Sequence, residues 1–221
     1  MRQLVDEIFA EGPRVHQGET ETDRPLNPAE SLLAPAELAR LARREPVCWG
    51  IAKEAGLYLY DTVQPGWATL ETGAGLTTLV FALRKARHTA VTPSASEATG
   101  IKKYARTKRI AMRGVRFVVA ASEDYLPRAR PTPLDLVLID GKHAFPWPVL
   151  DWFYTAERLR QGGLMMVDDC ALPGVAQLAD FLRADARWAL RKDLGGKTLV
   201  FEKTAPSVRD VAWHMQWVNR S

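Results

Sequence analysis

The stretch Trp67-Ala68-Thr69-Leu70-Glu71-Thr72-Gly73-Ala74-Gly75-Leu76-Thr77-Thr78 combines three kinds of local structure. An apolar run ends in an acid, a Gly-x-Gly turn follows, and the chain then enters an apolar segment with helical character. A strand, a glycine turn and a helix N-terminus in this order are typical of the half of a doubly wound fold that holds a nucleotide-like ligand. Glycine at positions 73 and 75 would keep side chains away from such a ligand and permit unusual backbone dihedral angles. By itself, Gly-x-Gly is weak evidence.

Two later segments strengthen this prediction, because both are apolar runs that end in carboxylates. The first is Leu134-Asp135-Leu136-Val137-Leu138-Ile139-Asp140, and the second is Gly163-Leu164-Met165-Met166-Val167-Asp168-Asp169. Strands that are buried on both faces of a parallel sheet require such runs. Ligands of open parallel sheets gather beyond the carboxyl ends of the strands. Three strands that each finish in an acid therefore direct their acids toward one crevice.

Strand-like and helix-like segments alternate along most of the chain. Strands are predicted at Ala68–Glu71, His88–Thr92, Arg116–Ala120, Leu134–Asp140, Gly163–Asp168, Ala189–Lys192 and Thr198–Glu202. Helices are predicted at Leu76–Lys85, Ser96–Lys108, Pro148–Arg160 and Val175–Ala184. The short connection at residues 193–197 favours a hairpin and an antiparallel last strand. The pattern predicts an α/β fold with a Rossmann-like, doubly wound seven-stranded sheet, mostly parallel with an antiparallel C-terminal strand, and helices on both faces.

The ends of the chain are expected to extend this single globular domain. Residues 1–66 are predicted as an irregular lead-in with two capping helices, at Leu32–Arg44 and Val47–Val63. Residues 206–221 are predicted as an amphipathic helix that docks on the core or on a partner chain, so a homodimer is an open expectation. The N-terminus carries acids early and lacks a long apolar stretch, which is not the pattern of a signal peptide.

Composition and cysteine usage narrow the class of protein. With 47% apolar and 25% charged residues over 221 positions, the chain has the composition of an ordered soluble protein. No apolar run approaches the roughly 20 residues of a membrane helix, so no membrane partner is expected. Cys48 and Cys170 lie far apart, without Cys-x-x-Cys or Cys/His spacing. This argues against a disulfide framework or a structural zinc site and predicts a cytoplasmic location.

The net charge of +4 is concentrated in one basic stripe. Within residues 102–116 no acid interrupts the basic positions, which are Lys102, Lys103, Arg106, Lys108, Arg109, Arg113 and Arg116. Such a stripe can be a nucleic-acid footprint, although it is more often the solvated face of a helix packed on a sheet. Binding of RNA therefore stays open as an alternative.

In combination, the motifs resemble the class I S-adenosylmethionine-dependent methyltransferases over roughly residues 45–203. The Glu-Thr-Gly-Ala-Gly-x-Thr-Thr segment that begins at Glu71 and the Ile-Asp-Gly-x-His segment that ends at His143 look most like a bacterial branch of mostly uncharacterised members. The resemblance implies that residues 67–205 form a catalytic domain. It also implies that S-adenosylmethionine is the cofactor.

The same resemblance implies which residues lie near the amino-acid end of the cofactor. The family's acid at the end of the first strand, here Glu71, orients the turn and that moiety. Gly73, Ala74 and Gly75 would lie along the cofactor. Asp140 is also expected to contact it. Alternatively, Glu71 could be an acid that only caps the following helix.

The second strand departs from the family pattern, in which a terminal acid binds both ribose hydroxyls. Here the run ends Ala90-Val91-Thr92-Pro93-Ser94, and the first acid is Glu97. Thr92 or Ser94 could supply hydrogen bonds, or Glu97 could reach back. The third strand is followed by Ser122, Glu123 and Asp124. The family contacts the adenine ring of the cofactor at this position, although these residues could equally cap a helix.

The acids after the fourth and fifth strands resemble those of the divalent-metal-dependent O-methyltransferases of the catechol type. By that resemblance Asp140, Asp168 and Asp169 would bind Mg²⁺ or another divalent cation, which orients and acidifies an acceptor hydroxyl. His143 stands where such enzymes have a basic residue, and would remove the proton. Acidic pairs after strands also pair with cations or cap helices, so a metal-free mechanism with Asp140 and His143 alone stays open.

An aromatic cluster follows His143 directly. We expect Phe145 and Trp147 to wall the acceptor site, and Trp152 and Phe153 to form the buried face of a helix. The main functional prediction is therefore O-methylation of a small-molecule acceptor. The alternatives are an RNA methyltransferase that uses the basic stripe and a non-catalytic protein that retains the fold.

Overall fold

Seven strands form one sheet at the centre of the structure, a computed structural model that describes residues 2–12, 35, 36, 39, 43, 50–208, 212, 214 and 216–219. The strands are β1 (Ala68–Thr72), β2 (Arg87–Thr92), β3 (Val115–Val119), β4 (Leu134–Ile139), β5 (Leu159–Val167), β6 (Trp188–Leu194) and β7 (Thr198–Lys203). Their order is β3-β2-β1-β4-β5-β7-β6. β7 is antiparallel to both of its neighbours, and the other neighbouring pairs are parallel. The predicted mostly parallel sheet with an antiparallel C-terminal strand is confirmed.

Helices cover both faces of this sheet. They are α1 (Arg2–Glu11), α2 (Lys53–Thr62), α3 (Leu76–Leu83), α4 (Ala95–Thr107), α5 (Ser122–Tyr125), α6 (Trp147–Thr155) and α7 (Pro173–Ala184), with short 3₁₀ turns at Leu126–Arg128 and Trp217–Asn219. Leu59 and Leu79 belong to one apolar core with Leu138, whereas Leu178 belongs to a second core with Val137. Since neighbouring strand residues point to opposite faces, the two cores lie on opposite sides of the sheet.

The strand order creates a crevice between β1 and β4. The chain runs outward from β1 through β2 to β3, and then returns to place β4 on the other side of β1. At such a reversal the connections leave their strands in opposite directions, which opens a ligand site beyond the carboxyl ends. The glycine turn follows β1 and Asp140 follows β4, so both lie at this crevice.

The predicted end of the helix after β4 is wrong. The helix expected to reach Arg160 ends at Thr155, and β5 begins at Leu159 rather than Gly163. The buried ammonium of Lys203 donates to the carbonyls of Ala156 and Leu159 at 2.9 Å each, and so holds the chain immediately after the helix. This tertiary contact ends the helix earlier than local periodicity predicts.

The terminal segments differ more from expectation. The helix α1 was not predicted, and the helix predicted at Val47–Val63 begins at Lys53. Most of the helix predicted at Leu32–Arg44 lies outside the described residues, as does Cys48. In the predicted C-terminal helix, residues 206–208 are irregular and Trp217–Asn219 form a 3₁₀ turn, while most of the remainder lies outside the described residues. None of the described helices has the length and apolar character of a membrane span.

Candidate active site at the carboxyl edge of the sheet

Backbone hydrogen bonds join the ends of β1, β4 and β5. The amide of Asp140 donates to the carbonyl of Thr72 at 3.1 Å, and the amide of Asp168 donates to the carbonyl of Ile139 at 3.0 Å. The acids that follow β4 and β5 therefore lie at the same edge as the glycine turn, as the strand endings predict. This edge is the candidate active site.

The two glycines of the turn have different physical roles. Gly73 has a φ of +87°, and a Cβ atom there would lie 2.2 Å from the carbonyl oxygen of Asp140. Gly75 has an extended φ of −179°, and a Cβ atom there would meet no atom within 4 Å. Gly73 is thus required for the turn to pack against the end of β4, whereas Gly75 borders open space. A ligand that passes over Gly75 explains why no side chain stands there, and the turn fits S-adenosylmethionine in this respect.

Glu71 stabilises the turn from beneath. Its carboxylate is 1% exposed and accepts hydrogen bonds from the hydroxyls of Thr77, at 2.6 Å, and Thr78. The Thr78 hydroxyl also accepts from the amide of Gly75 at 3.1 Å. On its other side, Glu71 lies 3.1 Å from Nε2 of the buried His88. Glu71 therefore orients the turn, and its burial leaves it little surface with which to contact the cofactor directly.

At the end of β2, a side-chain network brings Glu97 back to the strand. The hydroxyl of Thr92 donates to Oε2 of Glu97 at 2.5 Å. Ser94 is the N-cap of α4, where its hydroxyl accepts from the amide of Glu97 at 3.2 Å. Thr92 and Ser94 are 1% and 7% exposed, whereas Glu97 is partly exposed. A carboxylate thus stands at the end of β2 although the strand itself ends without an acid.

The three residues after β3 differ in exposure and in their contacts. Asp124 is exposed, and its backbone carbonyl accepts from Arg128 at 2.8 Å. Glu123 is partly exposed; burial opposes its ionisation, but Trp147 and Lys142 lower the pKa of its carboxyl below the ordinary value. Ser122 begins α5 and is also partly exposed. Glu123 thus interacts with Lys142 and Trp147, two residues that follow β4.

His143 lies between two carboxylates. Its Nε2 is 3.6 Å from Oδ1 of Asp140, and its Nδ1 is 3.5 Å from Oδ2 of Asp169. Burial disfavours the imidazolium, but the neighbouring acids outweigh it and raise the pKa of His143. Burial likewise raises the pKa of Asp140, against the effect of His143. The neighbouring acids therefore make the imidazole more basic, and His143 is a candidate general base.

Gly174, near the start of α7, holds the loop that carries His143. A Cβ atom at Gly174 would lie 2.6 Å from the carbonyl oxygen of His143 and 3.2 Å from the amide nitrogen of Phe145. The absence of a side chain lets the helix pack directly on this loop. No local motif marks Gly174, since its requirement arises from a contact distant in sequence.

Lys197 changes the interpretation of the three acids. Its Nζ donates to Oδ2 of Asp168 at 2.7 Å and to Oδ1 of Asp169 at 2.5 Å. The other oxygen of Asp168 accepts from the hydroxyl of Thr198. Each oxygen of Asp168 therefore accepts from a protein donor, which disfavours Asp168 as a ligand of a divalent cation. The described groups that converge within 4.8 Å are instead Asp140, His143 and Asp169, without Asp168.

Asp169 adopts a backbone conformation that is uncommon for residues other than glycine. Its φ is +55°, in the left-handed region that favours glycine. Such conformations cost roughly 1–3 kcal/mol and concentrate at functional sites. Here the conformation places one carboxylate between Lys197 and His143.

Asp151 was not predicted from the sequence. It lies in α6, is 1% exposed, and has no hydrogen-bond partner for either carboxyl oxygen among the described residues. Burial raises the pKa of Asp151 to about 6, although the nearby hydroxyls of Ser122 and Thr72 oppose this. The signal that could have revealed it is a lone acid within the apolar helix sequence Trp-Pro-Val-Leu-Asp-Trp-Phe-Tyr.

The aromatic cluster divides between the site and the cores. The ammonium of Lys142 lies 3.8 Å from the ring centroid of Trp147, and Phe145 is 58% exposed. Trp152 packs edge-on against Phe181, with ring centroids 5.1 Å apart, in agreement with a core role. Phe153 was expected to be buried but is 44% exposed, because it lies on the outer side of α6.

The basic stripe does not form one surface. Lys102 lies over the ring of Phe117, and Lys108 forms an ion pair with Glu11. Arg116 precedes Phe117 in β3 and so points to the other face of the sheet, over the ring of Tyr125. The stripe is therefore split between two faces, which weakens its interpretation as a single RNA footprint.

Comparison with known proteins agrees with this geometry. A family model described as a methyltransferase domain matches residues 70–170, the segment that contains the glycine turn, His143 and both acids after β5. No curated protein matches the sequence. Residues 70–170 therefore resemble a methyltransferase domain, and the sheet that they help to form has the mostly parallel, Rossmann-like form predicted from the sequence.

Several solved structures share the fold at low identity. The O-methyltransferase TomG from Streptomyces achromogenes, in complex with SAM, is 18% identical with a TM-score of 0.61, and the match covers 76% of this chain and 86% of that chain. Cofactor-bound Rv0187 from MTB is 19% identical with a TM-score of 0.61, covering 81% and 99%. An rRNA methylase from Streptococcus thermophilus is 15% identical with a TM-score of 0.51, covering 68% and 95%. These likenesses establish the fold and leave the methyl acceptor open.

Proposed function

We propose that this protein is an S-adenosylmethionine-dependent methyltransferase that modifies a hydroxyl oxygen of a small molecule, with His143 as the general base and without a divalent cation. The observation that carries the proposal is the position of His143 between Asp140 and Asp169, beside the glycine turn. The backbone of Asp140 contacts Gly73 so closely that the base and the turn are adjacent.

Methyl transfer requires little from the protein beyond alignment of the acceptor oxygen with the methyl group and removal of the proton from the acceptor hydroxyl. S-adenosylmethionine, when bound, supplies an electrophilic methyl group. His143 would accept the proton of the acceptor hydroxyl at Nε2 or Nδ1 during the methyl transfer. Asp140 and Asp169 then stabilise the imidazolium that results. Phe145 and Trp147 exclude water from one side of the acceptor.

Lys197 supports the metal-free version of this mechanism. Its ammonium pairs with two of the three acids to which the metal would bind. A lysine in that place supplies a fixed positive charge that lowers the cost of burying Asp168 and keeps Asp169 directed toward His143. It offers no open coordination positions, so the acceptor must be positioned by the protein side chains.

Glu97 is the proposed ligand for the ribose of the cofactor. The Thr92–Glu97 hydrogen bond holds its carboxylate at the end of β2, and the partly exposed Glu97 is better placed to accept from ribose hydroxyls than the buried Thr92 and Ser94. Gly75 would lie under the cofactor, and Glu123 is the candidate for the adenine end.

The decisive experiment is methyl transfer in the presence of EDTA. The purified full chain would be incubated with S-adenosylmethionine and a panel of phenols and catechols, and release of the demethylated cofactor would be followed. We expect turnover with at least one hydroxylated acceptor, undiminished by EDTA and reduced roughly 10²–10⁴-fold in His143→Ala. Cofactor affinity, measured by calorimetry, should be nearly unchanged in that variant.

Two results would contradict the proposal. Turnover that requires added Mg²⁺ would restore the metal-dependent mechanism. One-to-one cofactor binding with methyl transfer only to RNA would replace the small-molecule acceptor by a nucleic acid.

A further inference from the structure

A cleft of about 310 Å³ lies away from the candidate active site, at the opposite end of the parallel strands. Its walls come from the beginnings of β1, β2, β3 and β4, from the residue before β5, and from the segment that follows α5. It reaches β1 at Ala68 and Thr69, whereas the glycine turn begins at Gly73. At about 3.3 Å per residue, the cleft and the turn are roughly 15 Å apart along the strand.

Five arginines line this cleft, which we call the arginine cleft: Arg87, Arg116, Arg128, Arg130 and Arg158. No acid is among the residues described as lining it. None of the five forms an ion pair with a described carboxylate, whereas the neighbouring Arg160 pairs with Asp135 at 2.6 Å. Like charges gathered without counter-charges repel one another and destabilise the fold. Such a cluster is expected where an anionic ligand neutralises it.

The sheet itself directs two of these arginines into the same space. Thr89 pairs with Arg116 across β2 and β3, so their side chains share one face, and Arg87 lies two residues before Thr89 on that face. Arg116 stands over the ring of Tyr125, which also lines the cleft. The guanidinium groups are therefore held by regular structure on one wall.

Arg158 is the most informative member. Its Nε and Nη1 atoms are buried and have no hydrogen-bond partner among the described residues. Burial lowers the pKa of Arg158, which reflects the cost of removing the charge from water. Two donor nitrogens that are buried without partners are unfavourable in a folded protein unless something binds to them.

Arg87 and Arg128 each use one N–H group on a backbone carbonyl. Arg87 donates to Gly66 at 3.0 Å, and Arg128 donates to Asp124 at 2.8 Å. These bonds orient the guanidinium groups but do not neutralise their charge. Each group retains further donors for a ligand.

We propose that the arginine cleft binds the oligophosphate group of a small molecule, separately from the methyl-transfer site. Several adjacent guanidinium groups match the charge and the many acceptor oxygens of a di- or triphosphate, which a single phosphate matches less well. A volume of about 310 Å³ accommodates such a group. The oligophosphate could belong to a nucleotide or be inorganic.

The test is calorimetry with the full chain in low salt, using orthophosphate, inorganic triphosphate and ATP as separate titrants. We expect one site that binds triphosphate at least tenfold more tightly than orthophosphate, with affinity that falls as salt rises. Equal affinity for ATP and triphosphate assigns the site to the phosphate chain alone, and tighter binding of ATP assigns it to a nucleotide; both support the proposal.

Two variants, Arg158→Met and the matched control Arg113→Met, distinguish binding in the cleft from a general attraction of anions to the positively charged protein. Arg113 is exposed and does not line the cleft, but its loss changes the net charge equally. We expect Arg158→Met to weaken triphosphate binding tenfold or more, and Arg113→Met to change it less than twofold. Arg158→Met should leave the thermal midpoint equal or raised without ligand, because a buried unpaired charge is removed.

The proposal is overturned by several results. These are an absence of triphosphate binding, equal loss of binding in both variants, or a lower midpoint in Arg158→Met with binding retained. A single-stranded RNA that binds through Arg158 and displaces triphosphate at much lower concentration would also overturn it, in favour of a nucleic-acid surface. None of these measurements requires a methyl acceptor, so their outcome is independent of the proposed O-methylation.

Discussion

The ammonium nitrogen of Lys197 lies 2.7 Å from a carboxylate oxygen of Asp168. The same nitrogen also contacts Asp169, so one cation joins both acids that follow β5. Asp168 is 1% exposed, and an uncompensated carboxylate at that depth would be strongly unfavourable. Partial burial disfavours the charged lysine, but the two acids outweigh it and raise the pKa of Lys197. The lysine thus remains protonated and supplies its charge permanently.

Lys197→Ala should convert this edge of the sheet into a cation site. Removal of one partner of a fully buried ion pair costs about 3–5 kcal/mol. Since the Lys197 side chain is 36% exposed, the loss should be smaller, but the variant should still unfold at a lower temperature than the wild-type protein. Mn²⁺ should restore part of the lost thermal midpoint in the variant, since Asp168 and Asp169 then lack their cation. Differential scanning fluorimetry with Mn²⁺ and with EDTA measures both effects.

Lys192→Ala, which removes an exposed lysine of the same hairpin, is the control and should show neither effect. An equal Mn²⁺ stabilisation of the wild-type protein would contradict the metal-free interpretation, because it would mean that the acids bind a cation despite Lys197.

The titration of His143 should depend on Asp169. The nearby acids raise the pKa of the imidazole, so the neutral form that accepts a proton is reached only at a pH above the ordinary range. Asp169→Asn removes one of these charges while keeping a residue that tolerates the left-handed backbone. The imidazole should then titrate at lower pH, and the acidic limb of the activity profile should move in the same direction.

Proton NMR of the His143 ring in the wild-type and variant proteins measures this shift without a substrate. Asp180→Asn, which removes an acid on the outer side of α7, should leave the titration unchanged. A shift to higher pH in Asp169→Asn would exclude the proposed influence of Asp169 on the base.

The sequence predicts the topology well because buried parallel strands impose a strong pattern. Apolar runs that end in acids identified β1, β4 and β5 and the edge at which they meet. The partner of Asp168 could not be predicted in the same way, since Lys197 reaches it only through the hairpin between β6 and β7. Carboxylates at strand ends are equally typical of a metal site and of an ion pair, and only the contact decides between them.

Gly73 and Gly75 illustrate the same limit at shorter range. The sequence predicts that both glycines make room for a ligand, but only Gly75 borders open space. Gly73 is required by the carbonyl of Asp140, a residue from a strand that is distant in sequence. A Gly-x-Gly pattern therefore predicts the turn, while the reason for each glycine depends on tertiary packing.

Gly75→Val should abolish cofactor binding while the fold is retained. The valine side chain would enter the space that the cofactor is expected to occupy, and it meets no protein atom within 4 Å of its Cβ. We expect at least a tenfold loss of S-adenosylmethionine affinity by calorimetry, with little change in the thermal midpoint of the free protein.

Gly73→Ala is the matched comparison and should behave differently. Its positive φ and the collision with Asp140 predict a loss of about 2–4 kcal/mol in the free energy of unfolding. Unchanged cofactor affinity in Gly75→Val would show that the ligand does not pass over this glycine.

Asp151 combines deep burial with a raised pKa, which makes its effect on stability depend on pH. The pKa of about 6 in the folded protein exceeds the ordinary value of 3.8, so the folded state retains the proton to higher pH than the unfolded state. The stability contributed by the protonated form is therefore lost progressively as pH rises from about 4 to 6. Above that window the buried carboxylate destabilises the protein.

Asp151→Asn should therefore stabilise the protein at pH 7.5 and have little effect near pH 4. The amide cannot ionise, so the variant escapes a penalty on the order of 1–3 kcal/mol, which corresponds to several degrees in the thermal midpoint. Thermal unfolding of both proteins across this pH range measures the difference. Asp180→Asn, at an exposed position, should give no pH-dependent gain. A loss of stability at pH 7.5 in Asp151→Asn would mean that the carboxylate has a stabilising partner, and the raised pKa would then be wrong.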